Sequence, residues 1–286
     1  MEQLIVNALA SAGQIYLVGA GFAIIYLSGR FFHFAHGAVI TAAAYAYYVF
    51  NVTWAWPAII SFVVAVISAS VSGAALELLV YRPLRNRKAS TTGLLLASLG
   101  LYVGLINLLA LSFGEQTLTL KAGAVAPGIH LINARISEPQ LFMVAMAAVL
   151  LALLHLIGNN TLMGKRFRAL SESHALAGVV GINIDHMILG GIVVGSAIGG
   201  TVGILTALDT AIRPFMGLQP LMLGVVAVII GRGQPIALGA SVLFIAGLQV
   251  IVTAYLGLHW RDPVVFLLLI AFLMLRPYGA ILKKPS

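Results

Sequence analysis

The stretch MILGGIVVGSAIGGTVGILTAL, residues 187–208, is uncharged and almost entirely apolar. About 20 such residues cross the hydrocarbon core of a membrane as one helix. Glycines recur every fourth residue, at Gly191, Gly195, Gly199 and Gly203. In lipid, small residues at this spacing let helix backbones approach closely. The stretch therefore predicts a membrane helix packed tightly within a bundle, in preference to a specific dimer face.

The composition extends this prediction to the whole chain. Hydrophobic residues make up 61% of the sequence and charged residues 8%, whereas soluble domains carry about 25% charged residues. Apolar segments fall at about 4–27, 33–50, 57–81, 90–113, 139–157, 187–208, 215–231, 235–257 and 263–279. Because backbone groups in lipid must pair internally, the sequence predicts an all-α polytopic membrane protein of about eight to nine spans. Two segments, 33–50 and 215–231, are short enough to be broken or re-entrant.

Basic residues predict the orientation of the chain. With nine crossings, twelve of the sixteen Lys and Arg residues fall on one side, namely Arg30, Arg82, Arg85, Arg87, Lys88, Lys165, Arg166, Arg168, Arg232, Arg276, Lys283 and Lys284. Short cytoplasmic loops are rich in Lys and Arg, so the N-terminus is expected outside and the C-terminus inside. The net charge of +8 follows from this topology and indicates no nucleic-acid partner. The N-terminus lacks a basic region, so the first helix is expected to stay in the membrane.

The sequence lacks the ionisable and ligand-binding residues that an enzyme or a self-driven pump needs. Of eight acidic residues, only Glu77 lies within a predicted span, close enough to its end to reach water or Arg82, which favours a structural role over function. The stretch GNNTLMGKR, residues 158–166, has five residues between its glycines and Arg166 where a phosphate-binding loop needs a hydroxyl. The chain has no cysteine, which excludes disulfides and thiolate metal sites. No catalytic residue and no metal are expected.

The stretch FFHFAHG, residues 31–37, places two histidines early in a short apolar segment. The spacing of His33 and His36 would suit shared metal ligation, but no Cys, Asp or Glu lies nearby. We expect these polar groups to face neighbouring helices, with Gly37 permitting a close approach or a helix break. The alternative is that His36 is a solvated residue at the membrane surface. The candidates for a translocation path are His33, Phe34, His36 and Gly37.

A polar island at about 159–186, centred on GKRFRALSESHALAGVVGINID (residues 164–185), interrupts the apolar runs. Thr161 can cap a helix and Gly181 can stop one. Between them, apolar or aromatic side chains recur at helical spacing, Arg168 and Glu172 form an i, i+4 pair, and Asp185 is expected to cap the next membrane helix. The island therefore predicts one or two short surface helices. Its small, interrupted apolar face suits a protein groove better than a lipid surface.

Three ordered motifs resemble a known family. LASAGQIYLVGAGFAIIYLSGRFFHFAHGAVITAAAYAYY (9–48) resembles an opening helix followed by an Asn-Phe-Ala-His-Gly motif. TLMGKRFRALSESHALAGVVGIN (161–183) resembles a cytoplasmic coupling loop, and WRDPVVFLLLIAFLMLRPYGAI (260–281) resembles a closing helix with an Arg-Pro-x-Gly ending. Together they resemble the membrane permease subunits of ABC importers for branched-chain amino acids.

The resemblance implies one permease domain over residues 1–286 in a bacterial inner membrane. It implies pairing with an identical or related permease, two ABC ATPase subunits that hold ATP and magnesium, and an extracytoplasmic substrate-binding protein; no cofactor is implied in this chain. The loop at 161–182 would contact the ATPases, through Arg168, Ala169, Glu172 and Gly181.

The sequence departs from the family at His33, usually Asn, and at VVAVIIGRGQPIALGA (225–240), with Arg232 inserted. Relatives of the same kind import urea, amides or small organic acids, so the substrate class stays open. A self-sufficient carrier or channel is the more distant alternative.

Overall fold

The computed structural model describes residues 2–120, 128–131 and 133–275. Its helices are α1 (Glu2–Gly29), α2 (Ala35–Tyr48), α3 (Ala58–Leu76), α4 (Arg82–Asn86), α5 (Thr91–Phe113), α6 (Glu138–Asn160), α7 (Leu162–Glu172), α8 (His174–Val179), α9 (Ile184–Asp209), α10 (Leu218–Gly231), α11 (Pro235–Leu256) and α12 (Arg261–Leu275). Wider π-helical turns extend α2 over Val49–Thr53 and join α3 to α4 over Glu77–Tyr81. A 3-10 turn, Leu258–Trp260, precedes α12.

Each of the nine predicted apolar segments contains a helix, which confirms the all-α membrane architecture. Within the described residues, six helical segments are long and apolar enough to cross a membrane: α1, the continuous 58–86 segment, α5, α6, α9 and α11. The helices α2, α10 and α12 are shorter. One small feature was not predicted, an antiparallel pair of strands β1 (Ile129–Leu131) and β2 (Ala134–Ile136). The end of the segment predicted at 263–279, and the Arg-Pro-x-Gly ending, lie outside the described residues.

The helices α1 and α9 form the centre of the bundle, and most other helices pack around them. Both are largely buried, whereas α5 and α6 bury few residues. Large apolar side chains cover the outside, including Ile59 at 80% and Leu111 at 83% exposure. An apolar surface on this scale fits contact with lipid tails and would be unstable in water.

The glycine stripe of α9 makes the close contacts that its spacing predicted. A Cβ atom added to Gly195 would lie 2.7 Å from the carbonyl oxygen of Gly21 in α1, and one added to Gly203 would lie 2.0 Å from that of Ile40 in α2. Real Cβ atoms do not approach so closely. The stripe therefore brings two helix backbones, those of α1 and α2, against α9.

Two short helices, α2 and α10, begin inside the bundle, in the segments 33–50 and 215–231 that the sequence left open as broken or re-entrant. After α1 the chain is non-helical over residues 30–34 and starts α2 beside Gly199, near the middle of α9. The helix α10 starts against α2, where the Gly217 amide donates to Thr41 Oγ1 at 3.1 Å. A Cβ atom on Gly217 would lie 2.1 Å from the Gly37 carbonyl oxygen. The starts of α2 and α10 therefore meet within the bundle.

Adding one methyl group to the stripe tests this packing. Gly203→Ala should lower the melting temperature of the detergent-purified protein, because forcing atoms into a packed contact costs about 1–3 kcal/mol. Gly190→Ala is the matched control in the same helix, since its Cβ would meet nothing within 4 Å; it should be neutral or stabilising, because Ala favours helix by about 1 kcal/mol over Gly. Equal melting temperatures for the two variants would contradict the close α9–α2 contact.

Candidate functional site

The polar island forms two short helices, α7 and α8, beside the end of α1. The Thr161 hydroxyl caps α7 by accepting from the Gly164 amide at 3.0 Å, as predicted. Gly181 follows α8 with a positive φ of 80° and ends that helical stretch, also as predicted. The predicted cap of α9 is wrong: Asn183 accepts from the His186 amide at 3.1 Å. Asp185 lies two residues further on, in the first turn of α9, and pairs with Arg82 at 3.2 Å.

The end of α1 holds the island by polar contacts. Arg30, in the left-handed backbone region at φ 55°, donates through Nη2 to the Ser171 carbonyl at 2.6 Å and also to the Glu172 carbonyl. These are the last carbonyls of α7, where a cation is stabilised by both the hydrogen bonds and the helix dipole. The ring of His174 lies 2.8 Å from the Ser28 carbonyl oxygen through Nε2. The island is therefore fixed to the helix at the centre of the bundle.

One face of the island turns inward and the other outward. Leu170 and Ala177, two members of the predicted apolar face, are buried. Burial lowers the pKa of His174, and the nearby Arg30 and Arg85 lower it further, against the raising effect of the Ser28 carbonyl. At neutral pH the ring is therefore uncharged and donates its Nε2 proton to that carbonyl.

The outward face of the island combines charged and apolar side chains. Arg168, Glu172 and Gly181 are exposed, and Ala169 is half-buried. The predicted Arg168–Glu172 pair is wrong: Arg168 donates to Asn159 Oδ1 at 3.3 Å, because the turn at Thr161 brings the end of α6 back beside α7. Five large apolar side chains of the island are also exposed, namely Leu162 at 72%, Met163 at 58%, Leu176 at 69%, Val179 at 84% and Val180 at 71%. This combination is typical of a protein-docking surface.

An ionic network ties α3 and α4 to the start of α9 beside the island. Glu77 is buried and accepts from both terminal nitrogens of Arg85, whereas water or Arg82 was expected there. The π-helical turn between Glu77 and Arg82 shifts the register, so Arg85 faces the carboxylate instead. Arg85 also lies 3.5 Å from Asp185. The structural role predicted for Glu77 agrees with this pairing.

The four candidates for a translocation path lie together at the inner start of α2. The His33 ring bonds to the Tyr81 hydroxyl through Nδ1 at 3.0 Å, Phe34 is half-buried, and Gly37 presses on Gly217. His36 is fully buried, so the solvated alternative is wrong. Among the described residues neither of its ring nitrogens has a hydrogen-bond partner. The predicted bond from His36 to a neighbouring helix is therefore not present.

The two histidines offer little to a metal ion. Their ring centroids lie 6.0 Å apart, and the described part of the chain brings together no group of three or more His, Cys, Asp or Glu residues.

Sequence reasoning missed a cavity of about 360 Å³, lined by both polar and apolar side chains, at the end of the bundle away from the island. It lies between α1, α6, α9, α11 and α12, and its walls include Gln14, Asp209, Gln249 and Arg261. Single polar residues such as Gln14 and Gln249 inside apolar runs were the available signal. Their convergence depends on the packing of five helices, which no local pattern reveals.

Replacing the two buried histidines should have opposite effects on stability. His36→Leu should keep or raise the melting temperature, because an unpaired buried polar group costs about 1–3 kcal/mol. His33→Leu should lower it, since the Tyr81 hydroxyl would lose its ring partner. A marked fall for His36→Leu would show that the ring has a bonding partner after all.

Comparisons with known proteins agree with the motif resemblance. The chain is 28% identical to the high-affinity branched-chain amino acid transport system permease protein LivH of Escherichia coli K12, covering 99% of this chain and 96% of that protein. It is 26% identical to LivH of Salmonella typhimurium and to BraD of Pseudomonas aeruginosa, with the same coverage. No solved structure matches the chain. Residues 4–274 match the family described as branched-chain amino acid transport system, permease component, and the chain therefore belongs to that family.

Proposed function

We propose that this chain is a membrane-spanning permease subunit of an ATP-driven importer and forms half of the translocation pathway for branched-chain or related small amino acids. Relatives named as permeases for branched-chain amino acids match it over 99% of its length, which favours this substrate class over urea, amides or small organic acids. In the proposed complex it pairs with a second permease, two ATPase subunits and an extracytoplasmic binding protein. ATP and magnesium belong to the ATPases, and this chain holds no cofactor.

The outward face of α7 and α8 is the observation that carries the coupling role. Five large apolar side chains of the island stand exposed, as do Arg168 and Glu172, while the inner face is fixed to α1 by Arg30 and His174. Large exposed apolar patches are uncommon on surfaces that contact only water. A helix that lies on lipid turns its apolar face toward the membrane. The island at 161–182 thus suits the groove of an ATPase subunit.

The described charges also argue against a self-sufficient carrier. Such a carrier depends on ionisable groups inside the membrane, and Glu77, the carboxylate within a predicted span, is neutralised by Arg85. The pairing of Glu77 thus favours a driving force supplied by partner subunits.

The membrane orientation follows from the same assignment. The island, α4 and the end of α1 meet at one end of the bundle through the contacts of Arg30, Arg82 and Arg85. If the ATPases bind there, that end faces the cytoplasm, the N-terminus lies outside and the C-terminus inside. This is the orientation that short basic cytoplasmic loops favour.

Charge changes on the outward face test the coupling role. Val179→Asp and Glu172→Arg should leave the permease folded, because both side chains are exposed, yet weaken ATPase binding and reduce transport and substrate-stimulated ATP hydrolysis together. Desolvating one unpaired charge in an interface typically costs 2–5 kcal/mol, so a loss of more than tenfold is expected. The measurement is co-purification with the ATPases and hydrolysis in proteoliposomes.

Asn86→Asp is the matched control for this experiment. It introduces a charge at the same end of the bundle, on exposed α4, outside the island. Normal assembly and coupling in Val179→Asp and Glu172→Arg would contradict the coupling role of this face.

Cysteine labelling tests the orientation, because the chain has no native cysteine. Single cysteines at Asn86 and Ser173 should react with an impermeant maleimide only from the cytoplasm, and one at Asn133 only from outside. Ala122, the outer position that the sequence first suggests, lies outside the described residues. Labelling of positions 86 and 173 from opposite sides would overturn the topology.

The first residues of α2, which lie inside the bundle, are proposed to line the translocation path. Transport should fall in His36→Leu although stability does not, and His36→Asn, which keeps a donor and an acceptor, should retain more transport. Equal transport in both variants would remove His36 from the path.

A further inference from the structure

The cavity at the outer end of the bundle carries two charges of opposite sign. Asp209, the last residue of α9, accepts from Ser137 Oγ at 2.5 Å and from Gln140 Nε2 at 3.0 Å. Arg261, the first residue of α12, donates to Ser11 Oγ at 3.1 Å. Among the described residues neither charge forms an ion pair. Both line the cavity, so it presents an anion and a cation whose charges are not neutralised.

A buried amide oxygen adds an unused acceptor to the same cavity. Gln249 has no exposed surface, and its Nε2 donates to Asp262 Oδ1 at 3.1 Å. Its amide oxygen has no partner in the described residues. A buried acceptor without a hydrogen bond is destabilising. A ligand with a hydrogen-bond donor would satisfy it.

The remaining walls are mixed in character. Met143 from α6 and Val250 and Ala254 from α11 supply apolar surface, whereas Gln14 supplies a further polar side chain. The volume of about 360 Å³ lies within the range of small-molecule pockets, about 300–1,000 Å³. The walls thus offer a cation, an anion, a free acceptor and an apolar face within one small-molecule volume.

We propose that this cavity binds a zwitterionic amino acid with an apolar side chain. The carboxylate of the ligand faces Arg261, its ammonium group faces Asp209 and the Gln249 amide oxygen, and its side chain lies against Met143 and Val250. The assignment rests on the proposed function, since an importer of amino acids would meet its substrate at this outer end. A zwitterionic lipid headgroup has the same pair of charges, and the experiment separates the two sources.

Photolabelling of the nucleotide-free complex tests the assignment directly. The complex is placed in nanodiscs of phosphatidylglycerol, which lacks an ammonium group, and irradiated with a diazirine analogue of leucine. Adducts should map to the start of α6 and the end of α11, and excess L-leucine should prevent them. Leucinamide, without a carboxylate, and N-acetyl-leucine, without an ammonium group, should compete at least tenfold more weakly, as expected for the loss of one charge-assisted hydrogen bond.

Matched variants connect the labelling to the two charges. Asp209→Asn and Arg261→Gln should each reduce labelling about tenfold, whereas Asp209→Glu, which keeps the charge, should retain most of it. Glu138→Gln and Arg213→Gln remove the same charges from exposed positions that do not line the cavity and should leave labelling unchanged. Melting temperatures equal to that of the parent show that a loss of labelling is not a loss of folding.

Three patterns of labelling, where labelling occurs, would overturn the proposal. They are labelling that is unchanged in Asp209→Asn and Arg261→Gln, labelling spread over the lipid-facing helices, and labelling displaced by added phosphatidylethanolamine but not by L-leucine, which would assign the cavity to a lipid headgroup. Because no nucleotide is present, these results do not depend on coupling. Absent labelling with normal substrate-stimulated ATP hydrolysis contradicts the cavity assignment alone, and normal labelling without stimulation contradicts the coupling role alone.

Discussion

Close contact between helix backbones at the glycines of α9 is the constraint on which the rest of this structure depends. Lipid tails are as apolar as helix surfaces, so burial of apolar area does not drive helices together in a membrane as it does in water. Shape must supply the association, and Gly195 and Gly203 allow the backbones of α1 and α2 to touch α9. Because α2 is held at this depth, its first residues, including His36, lie inside the bundle, and α10 can start against Gly37.

Polar groups inside the bundle divide into two kinds, and the difference bears on function. Ser68, Ser70 and Ser72 in α3 donate to carbonyls three or four residues earlier in their own helix, which satisfies them without any partner. The rings and amides of His36 and Gln249 are too distant from their own backbone to do this, and each retains a polar atom without a described partner. Such groups are costly to keep in a folded chain. His36 lies where α2 starts inside the bundle and Gln249 lies in the wall of the cavity. The hydroxyls of Tyr16, Tyr45, Tyr102 and Ser196 are likewise buried without a partner among the described residues.

The features that could be predicted from the sequence are those set by local spacing. Apolar runs located the membrane helices, the four-residue glycine repeat identified the buried face of α9, and Thr161 and Gly181 marked the ends of the island. The errors concern partners chosen by geometry between elements. Asn183 rather than Asp185 caps α9, and Arg168 bonds to Asn159. After the π-helical turn, Glu77 forms its ion pair with Arg85. The cavity was missed for the same reason, since its polar side chains come from five helices far apart in sequence.

The helix α1 connects the two ends of the molecule. Ser11 and Gln14 form part of the cavity wall, and Ser28 and Arg30 hold the island. At 1.5 Å per residue, Gln14 and Arg30 are separated by roughly 25 Å along one helix. That helix is packed against α6, α9, α10 and α11, so it cannot bend freely between its ends. Arg30 donates hydrogen bonds to backbone carbonyls at the end of α7. A substitution of a side chain in the island does not remove these carbonyls. A displacement of the island would therefore reach the cavity wall through a single rigid element, without requiring the intervening helices to change their hydrogen bonds.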